Sequence, residues 1–81
     1  MEMQVRMPAF GPKTEQGTLT EWLVEEGQRV RAGDPLAEVE ADKQAHTLSA
    51  PLDGVIAELM VEDVPREVAV GAVLCVIRVG E

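Results

Sequence analysis

The chain carries one sequence pattern twice. Setting residue 17 on residue 54 brings Gly17 onto Gly54, Leu19 onto Ile56, Glu21 onto Glu58, Trp22 onto Leu59, Val24 onto Val61, Glu25 onto Glu62 and Arg29 onto Arg66. One extra residue, Glu67, then shifts the register, after which Val30 falls on Val68, Gly33 on Gly71, Leu36 on Leu74 and Val39 on Ile77. The two copies, about 17–39 and 54–77, are each too short to close an apolar core alone, so burial requires them to share one interior. A chain of 81 residues is then a single domain, 1–81, of a size that withdraws roughly 60–65% of its unfolded surface from water.

Glycine and proline decide the secondary-structure type. They punctuate the chain at Pro8, Gly11, Pro12, Gly17, Gly27, Gly33, Pro35, Pro51, Gly54, Pro65, Gly71 and Gly80, a spacing that leaves little room for helices. A helix over Leu19 to Val30 fails on its own period, because Glu26 falls where an apolar residue is due and Gly27 interrupts it. Between the breaks lie segments rich in Val, Leu, Ile and Thr: Gln4 to Met7, Thr18 to Val24, Leu36 to Ala41, Ala45 to Ala50, Val55 to Val61 and Ala72 to Val79. Short strands with frequent turns predict an all-β sandwich or barrel. Trp22-Leu23-Val24 and Val73 to Ile77 are apolar on both faces of a strand, as expected for strands packed between two sheets. Gly27-Gln28-Arg29 and Val64-Pro65-Arg66 read as equivalent turns, and Gly33 and Gly71 as equivalent positions with φ above zero.

Composition narrows the chemistry. Hydrophobic residues make up 46% of the chain but aromatics only 2%, so the interior is aliphatic and stacking platforms for bases are absent. A net charge of -8 disfavours nucleic acid as a partner. No apolar run approaches the roughly 20 residues of a membrane helix, and Met1 to Phe10 lacks a signal-peptide apolar region. The expected setting is cytoplasmic, or the mitochondrial matrix where a transit peptide has been removed. Cys75 is the sole cysteine and lies in the apolar run Ala72 to Ile77, where it reads as a small buried hydrophobe. His46, just after a turn, reads as a surface or edge-strand residue and is not expected to meet Cys75 as a nucleophile–base pair. One histidine and one cysteine do not furnish a zinc set.

Between the two copies stands Lys43. Leu36 to Ala41 and Ala45 to Ala50 flank Asp42-Lys43-Gln44, and two strand-like runs separated by about three polar residues predict a β-hairpin with Lys43 at its tip. Asp42 suits the turn, since its carboxylate can accept a backbone N–H about two residues on. The plain alternative is a lysine that keeps an edge loop soluble; its position between the halves argues against that.

Here the chain resembles a known family. Met7-Pro8, Gly17-Thr18-Leu19-Thr20-Glu21-Trp22-Leu23-Val24, Glu26-Gly27, Val30, Gly33-Asp34, Leu36 to Lys43, Ala50-Pro51, Gly54-Val55-Ile56 and Gly71 are similar to the lipoyl domain of the dihydrolipoyl acyltransferase component of 2-oxoacid dehydrogenase complexes. The resemblance spans Val5 to Val79. It implies a flattened barrel-sandwich hybrid of two antiparallel four-stranded sheets with quasi-twofold symmetry, and lipoate joined to Lys43 by an amide. It further implies that Glu40 and Asp42 are read by the attaching enzyme, a lipoate ligase or a lipoyl/octanoyl transferase. The loop Phe10 to Gln16, which the family places near the lysine, is a candidate partner contact, above all at Phe10, Gly11, Pro12 and Lys13, and so are Gln44 and His46 beside the lysine.

The function so implied is a non-catalytic carrier that moves acyl groups and reducing equivalents among a thiamine-diphosphate-dependent decarboxylase, a dihydrolipoyl acyltransferase core and dihydrolipoyl dehydrogenase, for a 2-oxoacid or acetoin. Gln44 and Ala41 depart from the small residue and the threonine common in the family. Glu40-Ala41 also precedes the lysine of biotin carboxyl carrier domains, but those carry methionine on both sides of it. A third reading is an unmodified β interaction domain whose acidic surface, from Glu21, Glu25, Glu26, Glu38, Glu40, Glu62 and Asp63, meets basic partners.

Overall fold

The computed structural model describes residues 1–80. Eight strands follow in order: β1 (Glu2–Arg6), β2 (Gln16–Trp22), β3 (Arg29–Val30), β4 (Pro35–Ala41), β5 (Gln44–Ser49), β6 (Gly54–Leu59), β7 (Arg66–Ala69) and β8 (Val73–Arg78). They form two antiparallel four-stranded sheets, β1-β8-β6-β3 and β5-β4-β2-β7. The body is flattened, with principal extents of 38 × 24 × 18 Å. Among the described residues there is no helix, and so none long and apolar enough to cross a membrane.

The repeat becomes a quasi-twofold relation between the sheets. Exchanging β2 with β6, β3 with β7 and β4 with β8 turns the order β5-β4-β2-β7 into β1-β8-β6-β3, with β1 standing where β5 stood. Each half lends its short strand to the other half's sheet: β3 pairs with β6, and β7 with β2. Neither copy completes a sheet alone. Loop hydrogen bonds repeat too. Leu23 N–H donates to the Leu36 carbonyl and Met60 N–H to that of Leu74, both at 2.8 Å, while Gly33 N–H reaches Ala50 O at 2.8 Å and Gly71 N–H reaches Met7 O at 2.9 Å.

Four of the paired apolar positions form the heart of the core. Leu19 and Ile56, Val30 and Val68, Leu36 and Leu74, and Val39 and Ile77 are all buried, joined by Met7, Val24, Ala37, Leu48, Ala50 and Cys75. Gly33 and Gly71 have φ of 95° and 94°, the left-handed turn conformation that glycine adopts without a Cβ penalty.

Three expectations change. Arg29 and Arg66, assigned to turns, each open a short strand, because β3 and β7 hold only two and four residues and carry too little periodicity to read. The double-sided apolar run in β8 comes from a bulge, not from two packed faces: Val5 lies opposite Cys75 but Arg6 opposite Val73, so Leu74 is the extra residue and both Leu74 and Cys75 turn inward. Likewise Leu23 lies beyond the end of β2 and is 38% exposed.

Cys75 is fully buried, and that burial pushes its thiol from 9.0 up to about 11. Since the folded thiol titrates above the unfolded one, its stabilising contribution is complete below pH 9 and is lost as pH rises from 9 toward 11. Alkylation by iodoacetamide at pH 8 is therefore expected to run at least about 1,000-fold slower in the native protein than in denaturant. Fast native labelling would contradict the buried placement.

Candidate functional site

The β4–β5 hairpin is tighter than its sequence implies. Ala41 pairs with Gln44 in the ladder, so the loop has two residues, Asp42 and Lys43, and Gln44 belongs to β5. Both loop residues are left-handed, with φ of 54° and 63°. That is a type I′ turn, whose twist matches the twist of the flanking strands. Asn-Gly or Asp-Gly would fill it at little cost; the lysine at the second position gives up roughly 1–2 kcal/mol of backbone preference and the aspartate less, so contacts from outside the turn add to what the ladder itself holds.

Those contacts come from the loop between β1 and β2. Asp42 Oδ2 accepts the hydroxyl of Thr14 at 2.8 Å, in place of the expected backbone N–H two residues on. Thr14 N–H donates to Gly11 O at 3.1 Å, closing the turn that presents its side chain. At Gly11 the loop comes so close that an added Cβ would stand 3.4 Å from both Asp42 Oδ2 and Thr14 Oγ1. On the other strand, the rings of Phe10 and His46 stack with centroids 4.0 Å apart and planes inclined by 14°.

Register explains the stack. His46 lies opposite Val39, whose side chain is in the core, so His46 faces inward at the edge of its sheet. Phe10 closes over it, and His46 Nε2 is left buried without a hydrogen-bond partner. Edge-strand placement is as expected; burial of one ring face is not. Cys75 sits on β8 in the other sheet, so the two do not form a pair.

Lys43 itself is exposed, and among the described residues it makes no ion pair. Glu40 is exposed on the outer face of β4, opposite Ala45 and Thr18, separated from the tip by buried Ala41. Pro12, Lys13 and Gln44 are exposed and Gly11 half-buried. The site is thus a composite of hairpin tip and loop. Thr14 belongs to the loop expected near the lysine, but its bond to Asp42 is not foreseeable from the residues: the two lie 28 positions apart, and no local pattern links them. No group of three or more His, Cys, Asp or Glu among the described residues is placed to hold a metal ion. What the tip can do is offer one unhindered amine in a fixed place.

Residues 3–77 match the family model described as biotin-requiring enzyme, that of biotin and lipoyl attachment. The chain belongs to the biotin/lipoyl attachment family. This lipoyl-type domain is 43% identical, over 94% of its length, to the dihydrolipoyllysine-residue acetyltransferase component of the pyruvate dehydrogenase complex of Zymomonas mobilis. It spans only 17% of that relative. Among solved structures, the lipoyl domain of the 2-oxoglutarate dehydrogenase complex of Azotobacter vinelandii aligns over 98% of this chain and 99% of its own, with a TM-score of 0.80 and 26% identity. A single-chain, multi-domain long-chain acyl-CoA carboxylase aligns over 99% of this chain and 7% of its own, with a TM-score of 0.78 and 28% identity. The all-β architecture of two four-stranded sheets is therefore that of a carrier domain in this family.

Proposed function

We propose that the chain is a lipoyl carrier domain of a 2-oxoacid dehydrogenase complex, with Lys43 as the attachment residue. The observation that carries this reading is the exposed lysine in a two-residue turn, flanked by Asp42 and Gln44 and tied through Asp42 to a neighbouring loop. The residues fit lipoate. A primary amine condenses with its carboxyl group to give an amide, and at this tip nothing packs over the stem that the amide extends. When bound, the lipoyl group supplies a disulfide that exchanges electrons and acyl groups, chemistry no side chain here provides. The domain's own part is to anchor that group, hold its root still and carry it between active sites at the millimolar effective concentration typical of a flexible tether.

The resemblance to acyltransferase components of pyruvate dehydrogenase complexes favours pyruvate as the oxoacid. The proposed partners are the attaching ligase or transferase, the thiamine-diphosphate-dependent decarboxylase, the acyltransferase core and dihydrolipoyl dehydrogenase. Biotin is the second reading, favoured by the likeness to a carboxylase and opposed by Asp42 and Gln44, which stand where biotin carriers have methionine.

Incubation with lipoate and ATP plus lipoate ligase, and separately with biotin and ATP plus biotin ligase, separates these readings by intact mass. A lipoyl adduct at Lys43 from the first enzyme alone is expected. A biotin adduct alone would promote the carboxyl carrier, and an unchanged mass with both would leave the interaction domain.

A further inference from the structure

The Asp42–Lys43 turn and the β1–β2 loop form one mechanical unit. The loop grips the hairpin on both sides of the lysine: Thr14 holds Asp42, the residue before it, and Phe10 stacks on His46, three residues after it. Phe10 and Thr14 are themselves joined by the turn that Thr14 N–H closes onto Gly11 O. The two grips therefore cannot slide independently.

The hairpin has a reason to need this. Two consecutive left-handed residues without glycine carry a backbone cost, largest at the lysine, that contacts from outside the turn offset. A rotation at either φ would swing the Lys43 side chain away from its present exit direction. The Thr14 hydroxyl donates to a carboxylate at 2.8 Å, the stronger kind of side-chain hydrogen bond.

Resting on the reading of Lys43 as the attachment residue, we infer that Thr14 is a positioning residue for it: through Asp42 the hydroxyl fixes the left-handed turn, and so the direction in which the lysine amine, and any group joined to it, leaves the domain. Phe10 and His46 anchor the loop so that the hydroxyl arrives already placed. In this role Thr14 bonds to Asp42 and not to the amine. Its effect is on orientation, so it acts on the rate of the reacting complex more than on its formation.

The test uses the 81-residue chain as wild type, Thr14→Val and Thr14→Ser, with three readouts: lipoate ligase kinetics, the order parameter of the Lys43 amide, and the thermal midpoint. Thr14→Val keeps the branched shape and removes the donor. It is expected to lower kcat about 5- to 10-fold at nearly constant KM, to lower the Lys43 order parameter, and to lower the midpoint by no more than the roughly 4–8 °C that loss of one hydrogen bond brings in a domain this small, with serine restoring it. Thr14→Ser restores kcat and order. An unchanged kcat or order parameter in Thr14→Val overturns the inference. So does a loss of kcat that follows a fall in midpoint and is not restored by serine. If wild type itself is never modified, the attachment reading fails instead, and the two failures are distinguished.

Discussion

Moving the lysine by one residue, in the double variant Lys43→Gln/Gln44→Lys, is expected to abolish modification although the amine stays on the same hairpin. Residue 43 is in the turn, with φ of 63°, while residue 44 is in the ladder opposite Ala41. A side chain at the first position leaves from the end of the hairpin; one at the second stands perpendicular to the sheet, beside the neighbouring strand. Misplacement of a reacting atom by even an ångström can cost about 100-fold in rate, and the change from turn to strand displaces it further. The exchange involves two exposed positions, so the thermal midpoint should move little. Intact mass after incubation with lipoate ligase reads the result, with Lys43→Arg as the fully inactive control. Modification at the wild-type rate would mean that the enzyme recognises an accessible amine in acidic surroundings, and that turn geometry is irrelevant.

Much of this arrangement was legible in the residues, for a physical reason. Burial is a property of single positions, and a duplicated fold buries the same positions twice. Leu19 with Ile56 and Leu36 with Leu74 could therefore be read as core before any strand was assigned, and the structure buries all four. Gly33 and Gly71 were legible because a left-handed turn strongly favours glycine, and the need recurs. What could not be read were relations between distant positions. The hydrogen bond from Thr14 to Asp42 and the stack of Phe10 on His46 depend on where two loops end up. Bulges were hidden because an extra residue in a strand resembles a strand apolar on both faces, as Leu74 and Cys75 did. The tip was read as three residues because Gln44 is polar, yet polarity does not distinguish an exposed ladder residue from a loop residue.

The quasi-twofold relation also has a measurable asymmetry. Gly17 and Gly54 are equivalent, and so are the groups they face: Val39 and Glu40 in one half, Ile77 and Arg78 in the other. A Cβ on Gly17 would lie 3.1 Å from Val39 Cγ1, 3.3 Å from Met7 Sδ and 3.5 Å from Glu40 O, whereas on Gly54 it would lie 2.5 Å from Ile77 Cγ2 and 2.6 Å from Arg78 O. The first crowding can be relieved by a methionine thioether and a valine methyl. The second includes a backbone carbonyl of β8, a strand held on both sides by β1 and β6, so relief requires the middle of a sheet to move. Gly17→Ala is expected to cost about 1 kcal/mol, and Gly54→Ala about 3 kcal/mol or more, at the upper end for overpacking. In a domain this small each kcal/mol shifts the thermal midpoint by roughly 4–8 °C, so Gly54→Ala should melt about 15–20 °C lower and Gly17→Ala only a few degrees lower. Since a domain of this length has only about 4–12 kcal/mol to lose, Gly54→Ala approaches the limit of folding. Equal midpoints for the two variants would show that β8 yields as readily as a side chain, and that the second sheet is no more tightly closed than the one that presents Lys43.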